Sequence, residues 1–256
     1  MNEEIAQQVF WELHSDLSRE GPGDDASTAR AFSLLTDLPP QPRILDVGCG
    51  PGMQTLQLAR LAASGHVTAV DLHQPFLEQL KQSLQETGLG DRVTPLQADM
   101  AAMPFATASF DVIWSEGAAY SMGFGKALTQ WRSLLTPQGY LVASEITWLR
   151  SDPPEPLKQF WQTEYPLMQS LEANLTLFRK MGYIPVAHLL LPAKSWWTFY
   201  YTPLAKRIQD LLPKYTHSPD ALQLLESHQQ EIELFRRYSA DYGYVFYIGQ
   251  VAPRTQ

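Results

Sequence analysis

Apolar residues recur at helical spacing near the start of the chain. Ile5, Val9, Phe10 and Leu13 fall at this spacing, and a helix is predicted over residues 1–20. Gly21-Pro22-Gly23-Asp24-Asp25 breaks it, and Asp25 or Ser27 offers a cap for a second helix carrying Ala29, Phe32, Leu34 and Leu35. The rigid run Leu38-Pro39-Pro40-Gln41-Pro42 punctuates the chain before the core. From 43 to 149 short apolar runs alternate with amphipathic stretches. Strands are predicted at 44–47, 66–71, 93–97, 110–115 and 140–146, and helices at 54–63, 75–87 and 126–135. Strands alternating with helices imply a parallel sheet covered on both faces, with right-handed crossovers.

Beyond residue 150 the texture changes. Asp152-Pro153-Pro154-Glu155-Pro156 reads as a loop. A helix is expected over 157–181, stopped by Gly182, and a strand over 183–191. An aromatic-rich, mostly helical stretch follows at 193–239, then a closing strand at 242–251. The 193–239 stretch is too short for a strong core of its own and reads as an insertion between two neighbouring strands. The expected organisation is a single domain, 1–256. It comprises a helical segment at 1–40, a core at 43–149, a cap region at 150–239, and a final strand and tail at 240–256.

Composition narrows the partners. The formal net charge is −8, from 19 Lys+Arg against 27 Asp+Glu, without a basic cluster; nucleic acid is therefore not an expected partner. No apolar run reaches membrane-spanning length, and the polar, acidic N-terminus lacks the pattern of a signal peptide, so a cytoplasmic location is expected. Cys49 is the single cysteine, which excludes an intrachain disulfide. The six histidines show no metal-ligand spacing, so no metal is expected. The oligomeric expectation is a monomer or homodimer.

The candidate chemistry begins at Asp46-Val47-Gly48-Cys49-Gly50-Pro51-Gly52, between a strand and a helix. Glycines there allow a tight turn and close approach of a ligand. The spacing is G-x-G-x-G, not the G-x-G-x-x-G of dinucleotide sites. Pro51 also removes an N–H that a pyrophosphate would use, whereas a zwitterionic amino-acid tail needs fewer donors. Asp71 ends the second strand, where a carboxylate can accept from a ribose diol. Asp99, after the third strand, could accept from an adenine amino group, with Met100 beside the ring.

Ile44-Leu45-Asp46-Val47-Gly48-Cys49-Gly50-Pro51-Gly52, Val70-Asp71-Leu72, Ala98-Asp99-Met100 and the run FDVIWSEGA at 110–118 resemble, in order, the motifs of class I S-adenosylmethionine-dependent methyltransferases. Arg19, Gly21, Pro22 and Gly23 in RxGPG, together with WSEGA and the closing YGYVFYIGQ, resemble a bacterial subgroup assigned to small-molecule methylation. The resemblance implies a Rossmann-like α/β fold with a mostly parallel seven-stranded sheet, helices on both faces and a small helical cap. It implies S-adenosylmethionine as cofactor and methyl transfer to an O, N or C atom of a small molecule. Gly48, Cys49, Gly50 and Gly52 would pass the methionine moiety, which Asp46 would orient through the loop backbone. Asp71 and Leu72 would hold the ribose, Asp99 and Met100 the adenine. Arg19, Gly23, Ser115 and Glu116 would complete the cofactor site, with Ser115 and Glu116 bordering the methyl group.

Glu116 is the candidate general base and Tyr120 a weaker catalytic candidate. A base is needed only where the acceptor atom must lose a proton. The run Trp196-Trp197-Thr198-Phe199-Tyr200-Tyr201 is read either as substrate-pocket lining or as packing of the cap. Substrate contacts are expected from Tyr120, Trp148, Tyr165, His188, Trp196 and Tyr200. Asp152-Pro153-Pro154 tempts a comparison with amino-methylating nucleic-acid enzymes, but it follows the fifth strand instead of the fourth and lacks their aromatic residue. The rival readings are a non-enzymatic cofactor- or partner-binding protein of the same fold and, more remotely, a NAD-dependent oxidoreductase.

Overall fold

A computed structural model describes residues 3–15 and 17–252; residues 1, 2 and 16 of the expected N-terminal helix and 253–256 of the expected tail lie outside the described residues. Seven strands form one continuous path: β1 (Arg43–Val47), β2 (His66–Asp71), β3 (Val93–Gln97), β4 (Phe110–Glu116), β5 (Leu135–Trp148), β7 (Tyr183–Leu190) and β8 (Tyr242–Val251). Their order is β3-β2-β1-β4-β5-β8-β7, and the two-residue β6 (Gln169–Ser170) pairs with the end of β5. The first five strands pair in parallel; β8 runs antiparallel to both neighbours. This is the mostly parallel α/β sheet expected.

Alternation along the central strands feeds two cores. Ile44, Val112, Trp114, Val142 and Phe246 belong to one. Leu45, Ile113, Leu141, Ala143 and Tyr247 belong to the other. Both faces being apolar, the strands read as near-continuous hydrophobic runs, as covered parallel sheets require. On the first face lie α1 (Glu3–Leu13), α3 (Met53–Leu61) and α4 (Gln74–Thr87), through Val9, Leu13, Leu58 and Leu80. On the second lie α5 (Phe124–Arg132) and α7 (Leu171–Lys180), through Leu128, Trp131 and Phe178. Between α1 and α3, α2 (Asp25–Phe32) is capped by Asp24, which accepts from Ser27 N at 2.7 Å.

Three expectations change. The helix expected over 1–20 ends as α1 at Leu13. The helix expected over 157–181 is two: α6 (Glu155–Glu164) stops at Tyr165, and α7 begins at Leu171. Pro166 explains the break, because its ring disfavours a helical residue before it, and Tyr165 is held at φ −148°. The helix expected over 126–135 is α5, shifted two residues earlier at its start and three at its end. β5 joins the sheet at Leu135 rather than 140, with Leu135 opposite Phe110.

Between β7 and β8 run α8 (Ala193–Trp196), a π-helical turn (Trp197–Tyr201), α9 (Thr202–Leu211) and α10 (Pro219–Tyr238). This insertion packs back onto the N-terminus. Arg207 Nε donates to Glu12 O at 2.8 Å, and Ser195 Oγ donates to Asp24. The chain leaves β1 towards β2 on one side and finds β4 on the other. The carboxyl ends of β1 and β4 therefore flank the point where strand order reverses, the place where open α/β sheets leave a crevice.

Candidate functional site

The loop after β1 is a floor made of bare backbone. Gly48, Gly50 and Gly52 all have positive φ, at 70°, 53° and 94°. At Gly48 a Cβ would also collide with Ala118 Cβ, and at Gly52 with Leu80. The loop's N–H groups are already committed. Gly48 N and Cys49 N both donate to Val70 O, at 2.8 and 3.0 Å, and Gly52 N donates to Cys49 O at 3.1 Å. Gly50 N donates to Asp71 Oδ2 at 2.8 Å, and Pro51 has no N–H. A pyrophosphate would find no spare donor among residues 48–52, whereas a ligand that itself donates hydrogen bonds meets carbonyls.

Beneath this loop, Asp46 is sealed from solvent and accepts from Thr55 Oγ1 at 2.6 Å. Burial pushes its carboxyl up to about 7. Asp71 ties the loop to β2: its Oδ1 accepts from His73 N at 2.9 Å while its Oδ2 holds Gly50. Cys49 is buried, and burial pushes its thiol well up, so it packs rather than reacts.

Across the crevice, Arg19 reaches the end of β4. Its Nη1 donates to Glu116 Oε2 at 2.8 Å, both side chains being almost sealed. Glu116 Oε1 accepts from Thr28 Oγ1 at 2.6 Å and Trp114 Nε1 at 2.9 Å. Both carboxylate oxygens thus have donors. Glu116 thereby anchors Arg19, and its engagement by three donors weighs against the reading of it as a base. Arg19 Nε and Nη2 are buried without a protein partner, and Arg19 lines the crevice together with Gly48, Gly50 and Asp71.

The crevice is a cavity of about 540 Å³ whose remaining wall comes from α1 and α10, through Phe10, Trp11, His14, Ser227, His228 and Glu231. It shares Glu20, Gly117, Tyr120, Glu164, Tyr200 and Glu231 with an inner pocket of about 150 Å³. His14 Nδ1 and Glu20 Oε2 lie 2.6 Å apart. Burial pushes Glu20 up to about 9, helped by the charge of Asp71, and pulls His14 down to about 4.

The sequence-predicted residues divide. The crevice gathers Arg19, Gly48, Cys49, Gly50, Asp71, Met100, Glu116, Tyr120 and Tyr200; the inner pocket adds Tyr165 and Trp196. Asp46, Ser115, Gly23 and Gly52 stand behind the walls. Ser115 Oγ stitches β4 to β1 through Val47 O at 3.0 Å, and Gly23 gives room to the Arg19 guanidinium. Leu72 is 67% exposed, and Asp99 is exposed with Oδ1 accepting from Ala101 N at 2.8 Å; neither lines the cavity. Two substrate contacts are corrected. His188 lies exposed on the edge strand β7, because alternation there turns it outward, and Trp148 borders a separate surface groove with Arg150 and Pro153.

Sequence reasoning missed Glu20, His14, Glu164 and the α10 wall. A signal existed in α10: Ser227, His228 and Glu231 recur at helical spacing as a short polar stripe beside the core-facing Leu225, Ile232 and Phe235. Among the described residues no cluster of three or more His, Cys, Asp or Glu is placed to hold a metal ion, and no helix is long and apolar enough to cross a membrane.

The sequence profile of a family described as a methyltransferase domain matches residues 44–139. A malonyl-[acyl-carrier protein] O-methyltransferase of Legionella pneumophila is 29% identical over 57% of this chain and 51% of its own length. The chain thus spans about half the length of the curated relatives it matches. Among solved structures, YjhP of E. coli superposes with a TM-score of 0.80 at 21% identity, over 96% of this chain and 100% of that one. A SAM-dependent methyltransferase of Geobacter sulfurreducens, crystallised with S-adenosyl-L-homocysteine, gives 0.78 at 22% identity, over 96% and 98%. Residues 44–139 are thus similar to a methyltransferase domain, and the described chain has the fold of S-adenosylmethionine-dependent methyltransferase structures.

Proposed function

We propose that the protein binds S-adenosylmethionine in the 540 Å³ crevice and transfers its methyl group to a small molecule held in the adjoining pocket. One observation carries this reading. Arg19, fixed by Glu116, carries two unpartnered buried N–H groups and lines the same crevice as a glycine floor that has no spare donors of its own. An amino-acid tail fits that asymmetry: its carboxylate pairs with Arg19, and its ammonium meets loop carbonyls. Asp71 fits a ribose diol, with unused lone pairs on both oxygens. Met100 fits the face of an adenine ring.

The cofactor supplies a methyl group on a sulfonium, already activated for in-line displacement. The chain's own residues orient and enclose. Arg19 and Asp71 would hold the amino-acid tail and the ribose, and Gly117 and Tyr120 line both the crevice and the acceptor pocket beside it. α1 and α10 close the outer side and exclude water. With Glu116 engaged by three donors, any base for the acceptor comes from the carboxylates of the inner pocket.

Isothermal titration with S-adenosylmethionine tests the reading, using the wild type, Arg19→Met and Asp71→Ala. Binding that falls about tenfold or more in each variant supports it. An absence of binding to the wild type leaves the non-enzymatic reading in its place.

A further inference from the structure

The inner pocket has a chemical bias that the methyl-transfer reading does not itself supply. Its walls are the rings of Tyr120, Trp161, Tyr165, Trp196, Tyr200 and Tyr244, and its acidic side chains are Glu164, Glu231 and Glu20, the last kept protonated at neutral pH by burial and Asp71. Among the described residues no Lys, Arg or His lines it. In the crevice beside it, the charge of Arg19 is matched by Glu116. His14 and His228 are both pulled down by burial and carry no charge at neutral pH. Glu164 and Glu231, the latter's carboxyl pushed up by burial, and six aromatic rings therefore face a space without a cation of the protein's own among the described residues.

Such a lining selects by charge. Aromatic faces attract a cation through their quadrupoles, more strongly when it is desolvated. A carboxylate or phosphate entering the same space would meet like charge and leave its own hydrogen bonds unpaired. Glu231 is fixed in position on α10, where the pocket and the crevice meet, because its Oε1 accepts from Tyr201 Oη at 2.7 Å. Tyr165 is fixed likewise, its hydroxyl donating to buried Glu145 at 2.6 Å.

Resting on the methyl-transfer reading above, we infer that the acceptor is a small amine, bound as its ammonium ion between Glu231, Glu164 and the aromatic walls. The pocket's volume of about 150 Å³ confines it to a compact molecule or to the amine end of a longer one. An ammonium R–NH₃⁺ has no lone pair. Glu231 takes one N–H proton and becomes a carboxylic acid, and the freed pair forms the N–C bond to the methyl group. The C–S pair stays with sulfur, so the products are R–NH₂CH₃⁺ and a neutral thioether, and Glu231 later returns its proton to solvent.

The test is equilibrium binding to the full chain saturated with S-adenosylhomocysteine, whose own affinity is measured first. The probes are tetramethylammonium, benzylamine, benzyl alcohol and benzoate, followed by tryptophan fluorescence and calorimetry. Tetramethylammonium and benzylamine are expected to bind about tenfold or more tighter than the alcohol and the acid. Glu231→Gln and the exposed, fold-tolerant Glu164→Gln are each expected to weaken both cations while leaving S-adenosylhomocysteine affinity within about twofold. Benzoate or benzyl alcohol matching benzylamine, no probe binding, or cation binding indifferent to both Gln variants would overturn the inference. If S-adenosylhomocysteine itself does not bind, the cofactor reading fails first. If it binds and no cation preference appears, the acceptor inference fails alone.

Discussion

Arg19 and Glu116 form an ion pair at 2.8 Å although 97 residues separate them, with side chains only 4% and 2% exposed. The pair joins the N-terminal segment to the carboxyl end of β4. Removing one member leaves a buried charge uncompensated, which costs about 3–5 kcal/mol. Glu116→Gln is expected to lower stability by that order and to weaken cofactor binding, because Arg19 loses its fixed position. Urea unfolding and calorimetry read both. A Glu116→Gln protein of normal stability and cofactor affinity that has lost only kcat would restore Glu116 as a base.

The loop glycines separate by what surrounds them. Gly52 sits at φ 94° with Leu80 where a Cβ would go, whereas Gly50, at φ 53°, has Glu20 Cγ at 3.6 Å, an ordinary contact. An alanine at either position meets the left-handed penalty of about 1–2 kcal/mol; only at Gly52 does it also displace core packing of α4. Gly52→Ala is expected to destabilise the fold by more than about 2 kcal/mol. Gly50→Ala should cost less and act chiefly on cofactor affinity. Equal melting temperatures for the two variants would contradict this.

The sheet was legible because its strands are short apolar runs ended by glycine or aspartate, a pattern local to each strand; 242–251 and the observed β8 coincide. The glycine loop and Asp71 were legible for the same reason. What could not be read was the far wall of the site. Ser227, His228 and Glu231 reach His14 and Glu20 only because α1 packs against α10, across some 200 residues, and nothing local marks them as neighbours. His188 illustrates the converse error: on a two-residue period, a strand position chosen by chemistry alone has an even chance of pointing away. Trp196 belongs to both alternatives the sequence left open, since it lines the pocket and packs on Phe235.

The Glu20–His14 contact sets a pH dependence that does not depend on which partner holds the shared proton. Burial holds His14 down at about 4 and Glu20 up at about 9, with Asp71 adding to the latter, so the folded pair keeps one proton between those limits. Unfolded, the two groups titrate near their ordinary 6.5 and 4.5. Above pH 6.5 the folded state therefore holds the extra proton, and stability falls as pH rises towards 9; below 4.5 the unfolded state holds more, and stability falls with acid. The pair's contribution is greatest between about 4.5 and 6.5. Melting temperatures measured from about pH 7.5 to 9 should decline in the wild type and flatten in Glu20→Gln, whose His14 is neutral in both states there. An unchanged slope in that variant would assign the decline to other groups.

Trp196 and Tyr200 line the same pocket but are held differently. Trp196 is 1% exposed and stacks on Phe235 with centroids 4.1 Å apart, and it also approaches Tyr244 at 5.3 Å. Truncating it removes core volume between α8, α10 and β8, so Trp196→Ala is expected to cost about 3–5 kcal/mol. Any rise in KM would then be inseparable from lost structure. Tyr200→Phe keeps the ring, and with it the packing against Tyr201. It removes only a hydroxyl, in a residue that faces both the crevice and the inner pocket. Stability should change by less than about 1 kcal/mol, while acceptor KM rises and cofactor affinity holds. Steady-state kinetics with an amine acceptor, set beside urea unfolding of both variants, separates the roles. If Tyr200→Phe destabilises as much as Trp196→Ala, the hydroxyl is structural and Tyr200 belongs to the core of the insertion.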